Sequence, residues 1–226
     1  VPVSATALTA GGHTGDQTSY NTNSISPGGN RLVLAWVFSA QTSGNTAPTL
    51  TGNGLTWVSV ASANPTANDR LTLFRAMGVS PSSGAVTIDF GGVTQLRCLW
   101  CIADFAPVNQ SGTNGSGAII QSATNTVSGT SITVTLGAFG SADNATAAGL
   151  IAENNDAFLN QGSGFSQIGQ VTQIESNGML GEFKDTNDTS ADFSWTTSSA
   201  AGAIAVEIKA TGGPIPRPVL APYVSY

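Results

Sequence analysis

The chain has 226 residues and a formal net charge of -6, with 9% charged residues against roughly 25% in an average soluble domain. Its seven Lys and Arg are scattered, without the clustered basic face that phosphate backbones require, so nucleic acid is excluded as a partner. No apolar run reaches the roughly eighteen residues of a membrane helix, so no membrane contact is expected, and the length fits a single β-sandwich domain.

The first residues, VPVSATALTAGG, have no basic stretch ahead of an apolar one and give no signal-peptide pattern. Beyond them, short apolar or alternating runs recur between Gly, Pro, Asn and Ser clusters, and none shows a 3.6-residue period, which predicts an all-β protein. Strands are expected near Tyr20–Ser26, Arg31–Ser39, Leu55–Ala61, Arg70–Val79, Ala85–Phe90, Leu96–Phe105, Ala118–Ser122 and Ser131–Phe139. Further strands are expected near Ala145–Glu153, Gln167–Glu175, Met179–Lys184, Ala191–Thr196 and Ala203–Lys209. RLVLAWVFS and LRCLWCIADF are apolar on both faces and read as central strands; SITVTLGAF and AVTIDF alternate and read as strands with one wet face. Asn53-Gly54, Gly91-Gly92, Ser128-Gly129 and Asn177-Gly178 separate strand-like runs and supply the positive φ of tight turns. So many strands at short spacing fit two packed antiparallel sheets, a jelly-roll-like β-sandwich over residues 1–211.

Sites of chemistry are sparse. His13, the one histidine, sits in TAGGHTGDQTS, a poor place for a catalytic base, and Ser163 in GSGFS lacks the strand-to-helix turn that exposes a nucleophile. A glycosidase needs two facing carboxylates, and Glu153, Asp156, Glu175, Glu182 and Asp185 include no two acids at i, i+2 or i, i+4 on one strand. Trp36, Trp57, Trp100 and Trp195 lie in apolar strand patterns and are expected in the core. Asp185, Asn187, Asp188 and Asp192 in KDTNDTSAD offer oxygen ligands but lack the glycine and terminal glutamate of a calcium loop, so they read as turns. Cys98 and Cys101, three apart on a strand, point to opposite faces and read as two buried free thiols. Asn109, Asn114, Asn144 and Asn187 begin Asn-x-Ser/Thr triplets that a chain of this composition produces by chance. No catalytic residue, metal or cofactor is assigned, and no enzyme is expected.

Residues 212–226, GGPIPRPVLAPYVSY, stand apart. Pro214, Pro216, Pro218 and Pro222 forbid a helix or an interior strand, so the stretch is an extended C-terminal arm. It carries apolar groups that a solvated tail would not, and Ile215, Val219, Leu220, Tyr223 and Tyr226 are its expected anchors on a partner, with Arg217 as the polar contact.

In the order NRLVLAWVFS, GNGLTWVSV, LTLFRAMGV, SSGAVTIDF and LRCLWCIADF, residues 18–106 resemble the Gly/Thr/Asn-rich β-sandwich modules of tailed-bacteriophage virions, among them capsid decoration proteins and head or tail appendages. The resemblance implies a structural virion protein in many copies, bound to other copies of itself and to a capsid or tail protein; it implies no catalytic residue. The alternative is a carbohydrate-binding or adhesive surface module with a glycan as partner. The stiff, apolar arm favours assembly, because proline has already restricted the chain that must be ordered.

Overall fold

The computed structural model describes residues 1–153 and 159–212, without the side chain of Gln173. The first eight strands are β1 (Ser4–His13), β2 (Ser19–Asn21), β3 (Leu32–Ala40), β4 (Thr49–Thr51), β5 (Val58–Ala63), β6 (Asp69–Ala76), β7 (Thr87–Asp89) and β8 (Arg97–Ala106). They form two antiparallel sheets, β1-β8-β3-β6-β5 and β2-β7-β4. An order β1-β8-β3-β6 facing β2-β7-β4 is that of an eight-stranded jelly roll. One strand departs from it: β5 continues the first sheet beside β6 instead of extending the second beside β4.

The rest of the chain builds a further sheet from β9 (Ile119–Thr135), β10 (Ala145–Ala152), β11 (Asn160–Gln161), β12 (Ser166–Ile174), β13 (Asn177–Lys184) and β14 (Ser190–Ile208). Its path is β11-β14-β10-β13-β12, with β9 on the other side of β14. β9 and β14 are long and bent. The register between them jumps from Ser194↔Ser131 to Ser199↔Gly129, so four residues of β14, Trp195 to Ser198, stand against Thr130 alone. Past this bulge the ribbon folds over the sheet it came from, a known way for strands to pass from one layer to another. Asn125 Nδ2 then reaches the Thr133 carbonyl (2.8 Å) and Gln121 Nε2 that of Gly137 (3.1 Å).

The molecule is thus a stack of layers with three cores between them, and period-two alternation assigns each side chain. On β3, Leu32, Leu34, Trp36 and Phe38 face the later sheet, while Val33, Ala35 and Val37 face β2, β4 and β7. On β8, Leu99, Cys101, Ala103 and Phe105 point one way and Cys98, Trp100 and Ile102 the other. Both strands are therefore central, as their two-faced apolar sequences predict. Beyond the middle core, Ala148, Leu150, Leu180, Ala203 and Ala205 meet Ile132, Val134, Phe193 and Trp195 from the folded-over ribbon.

The middle core is held by close approach. A Cβ on Gly149 of β10 would collide with the Trp36 indole, whose Nε1 donates to the Ile204 carbonyl at 3.1 Å. Only a glycine lets the fully buried ring lie against the sheet.

Several boundaries differ from expectation. β1 is not among the expected strands: Trp100 packs on Gly11 and β8 supplies the ladder. Four short strands were expected where β9 and β14 run as two long ones, because Ser128-Gly129 marks a bend inside β9 instead of a hairpin turn. The β12–β13 turn falls at Glu175 (φ 45) and Ser176 (φ 68), not at Asn177-Gly178, which open β13. The β2 strand stops at Asn21, with Ile25 reaching Gly84 by an isolated bridge. Asn53 (φ 59) with Gly54 (φ 64), and Gly91 with Gly92, take the positive φ expected of them.

Replacing Trp36 by Ala should destabilise the fold by about 3–5 kcal/mol, and Gly149→Ala by about 1–3 kcal/mol through overpacking against the same ring. Denaturant midpoints measure both; an unchanged midpoint for Gly149→Ala would contradict the contact.

Candidate functional site

The six expected arm contacts, Ile215, Arg217, Val219, Leu220, Tyr223 and Tyr226, lie outside the described residues; the stretch from the end of β14 to Gly212 lies within them. After β14, the chain is pinned by Lys209 N–H to the Ala118 carbonyl (2.8 Å), Asn109 N–H to the Lys209 carbonyl (2.9 Å) and Ala210 N–H to Asn144 Oδ1 (3.2 Å). Ala210 also bridges Val108. Beneath this knot Glu207 is fully buried, and its two carboxylate oxygens each accept an amide at 2.6 Å, from Asn144 Nδ2 and Gln121 Nε2. Hydrogen bonds of this kind replace lost water. Beside it, a cavity of about 320 Å³ opens between Ile120, Asp143, Asn144 and residues 209–212. Ile120 on its rim is 48% exposed. Sequence reasoning missed Glu207, whose partners lie 63 and 86 residues away, and met Asn144 only as a glycan triplet although it is buried.

The other acids fall into separate environments. Glu182 on β13 is fully buried on the face of Leu180, with Oε2 accepting the Gly162 N–H at 2.8 Å. Burial pushes its carboxyl up to about 8, Asp192 and Asp188 add to the rise, and the Gly162 N–H and Lys184 oppose it. Glu153, at the end of β10, meets Asp69, at the start of β6, in a carboxyl pair that links the two halves of the chain; burial and Asp69 raise its proton affinity, and Arg97 counteracts. Asp69 was not among the acids singled out, since 84 residues separate the two. Glu175 lies 3.6 Å from Arg97, and Asp185 is exposed near the β1–β12 groove. Asp156 lies outside the described residues.

The remaining residues are engaged locally. His13 Nδ1 accepts the Gly15 N–H at 2.9 Å and the ring tilts against Tyr20. Ser163 is exposed in the turn closed by Phe165 N–H to the Gly162 carbonyl. In KDTNDTSAD, Asp188 binds Lys184 Nζ (2.7 Å) and the Ser190 N–H (2.9 Å), whereas Asp192 binds Thr133. Among the described residues no three His, Cys, Asp or Glu side chains converge on a metal-sized site. Trp36, Trp100 and Trp195 are buried and Trp57 is half-buried. Cys98 and Cys101 are buried free thiols in different cores, and burial pushes Cys101 up to about 12. No protein-family model, curated protein or solved structure matches the chain.

The Glu182 geometry makes stability depend on pH. Folding raises this carboxyl from the ordinary value of roughly 4.3, so the folded chain binds the proton that the unfolded chain releases, and stability falls as pH rises from there to about 8. Glu182→Gln should flatten that slope and raise the unfolding midpoint at pH 8 and above. Thermal melts across this range test it, and an unaltered slope would show that Glu182 holds no such proton.

Proposed function

We propose that this chain is a structural virion protein of a tailed bacteriophage, a multicopy subunit that decorates a capsid or forms part of a head or tail appendage. The observation that carries the reading is the strand order of residues 4–106, that of a jelly roll except for β5, and the jelly roll is an architecture of viral capsid domains. Fold alone does not fix function. The surface chemistry adds to it: 9% charged residues leave a neutral Ser/Thr/Asn surface that loses little when a neighbour covers it. The arm supplies the connector, with Ile215, Val219, Leu220, Tyr223 and Tyr226 as anchors and Arg217 as the polar contact on other copies or on a capsid or tail protein.

Jelly rolls also serve as lectins, which keeps a glycan-binding or adhesive module as the second reading. Sugar platforms need exposed aromatic faces, and Trp36, Trp100 and Trp195 are spent in cores. The assembly reading is the stronger for that reason.

The native particle decides: the chain should be a stoichiometric component of the purified virion. Deleting residues 212–226 should leave the melting temperature nearly unchanged and lower incorporation by about tenfold, equivalent to some 1.4 kcal/mol of lost contact. Normal incorporation without the arm would sink the connector role. Saturable hydrolysis of a glycan or ester, abolished by Glu153→Gln, would overturn the non-enzymatic reading.

A further inference from the structure

Among the described residues β9 is paired on one side only, by β14. From Gln121 to Gly129 that pairing runs in unbroken register. Three other lateral edges are interrupted: β1 between Ala7 and Thr9, β5 between Ser59 and Ala61, and β12 between Gln167 and Gly169 and again between Val171 and Ile174. The β9 sequence IIQSATNTVSGTSITVT holds no charge and no proline. A row of unpaired backbone groups templates another strand, and proteins blunt such edges with bulges, lysines or prolines; between Gln121 and Gly129 none of these is present. The Thr126 N–H, 2.8 Å from Asn125 Oδ1, is turned away from β14, and alternation puts the N–H groups of Ser122, Thr124 and Ser128 on the same outer edge.

The arm has the complementary pattern. All four of its prolines, Pro214, Pro216, Pro218 and Pro222, fall at even positions. In an extended chain successive residues direct their backbone groups to opposite edges, so one edge keeps the N–H groups of Ile215, Arg217, Val219, Ala221 and Tyr223. On the other, between Pro214 and Pro222, only Leu220 retains a donor. Such a segment can join a sheet as its last strand, and little can join it in turn. Gly213, Ile215, Arg217 and Ala221 each precede a proline and are biased toward extended backbone before any partner arrives. Residues 215–223 and 121–129 match in length, about 30 Å at roughly 3.3 Å per residue.

We propose that the outer edge of β9, Gln121–Gly129, receives residues 215–223 of a second copy of this chain as an added antiparallel strand; this rests on the reading of the arm as a connector between subunits. Gly212 lies by the same cavity as Ile120, at the start of β9, so an arm laid on its own β9 would run parallel to it. A second copy is free to approach antiparallel, the more stable pairing. Reciprocal exchange of arms between two copies closes the contact on itself.

Full-length Thr124→Cys protein mixed with full-length Val219→Cys protein under mild oxidation tests the contact, the arm cysteine being stepped through Ile215→Cys, Arg217→Cys and Ala221→Cys to find the register. A covalent heterodimer is expected at one register, since a disulfide needs Cα atoms roughly 4.4–6.8 Å apart. A disulfide formed only within a chain carrying both substitutions, or none at any position, overturns the proposal. A labelled peptide of residues 212–226 gives the second readout: N-methylation at Val219 should weaken its binding to the full-length protein about tenfold, and N-methylation at Leu220 should not. Equal loss at both positions also overturns it. Failure here with arm-dependent virion incorporation removes β9 as the receptor and leaves the connector role; heterodimers from a chain absent from the virion keep the β9 site and remove the virion role.

Discussion

The fold turns on the seating of Trp36 against Gly149. A tryptophan on the central strand of one sheet reaches a position on the next sheet where there is no side chain, and its indole nitrogen closes on the Ile204 carbonyl. Without that slot the ring would hold the sheets apart, and the leucines and phenylalanines around it would lose contact together. The same device recurs nearby on a smaller scale, where Gly169 and Gly181 give way to the Cys101 sulfur. Bulk on the jelly-roll side is matched by absence of bulk on the other, so each half depends on the shape of its neighbour.

This dependence explains why β10 and the second half of β14 are rich in alanine and glycine. β10, β13 and the second half of β14 are buried on both faces, between Trp36, Phe105 and Leu34 on one side and Phe193, Trp195 and Val134 on the other. Thin strands let three cores fit in a chain of this length, and they leave little room for charge. Among the described buried acids Glu207 is held by two amides, Glu182 by one backbone N–H and Asp104 by Arg31 and the Gly28 N–H, while buried Asp69 pairs with half-buried Glu153.

The all-β class, the two central strands and the buried tryptophans were legible because hydrophobic alternation is local: RLVLAWVFS announces two covered faces wherever it is placed. What covers each face was not legible, since the partners of Trp36 lie more than 100 residues away. β1 was missed because its strand character comes from β8 and from the ring over Gly11, not from its own residues. Ser128-Gly129 carried a genuine bend signal, but a bend within a strand and a turn between strands use the same residues, and only the fate of β14 distinguishes them. The site was less legible than the fold. Glu207, Asn144 and Gln121 meet through tertiary contact alone, as do Glu153 and Asp69, and no spacing along the chain reports such meetings.

Gly212 follows the end of the longest described strand, β14, and this gives the molecule a direction of mechanical strength. Tension applied at Gly212 passes into β14 along its axis. There Ala201 to Ile208 are laddered to β10 on one side and to β9 on the other. Pulled end-on, these bonds bear load in shear, side by side, and must fail as a group instead of one at a time. A force on an outer edge such as β12 would meet the ladder bonds in sequence and unzip them. A pull at the end of β14 is therefore the direction in which these ladders resist most.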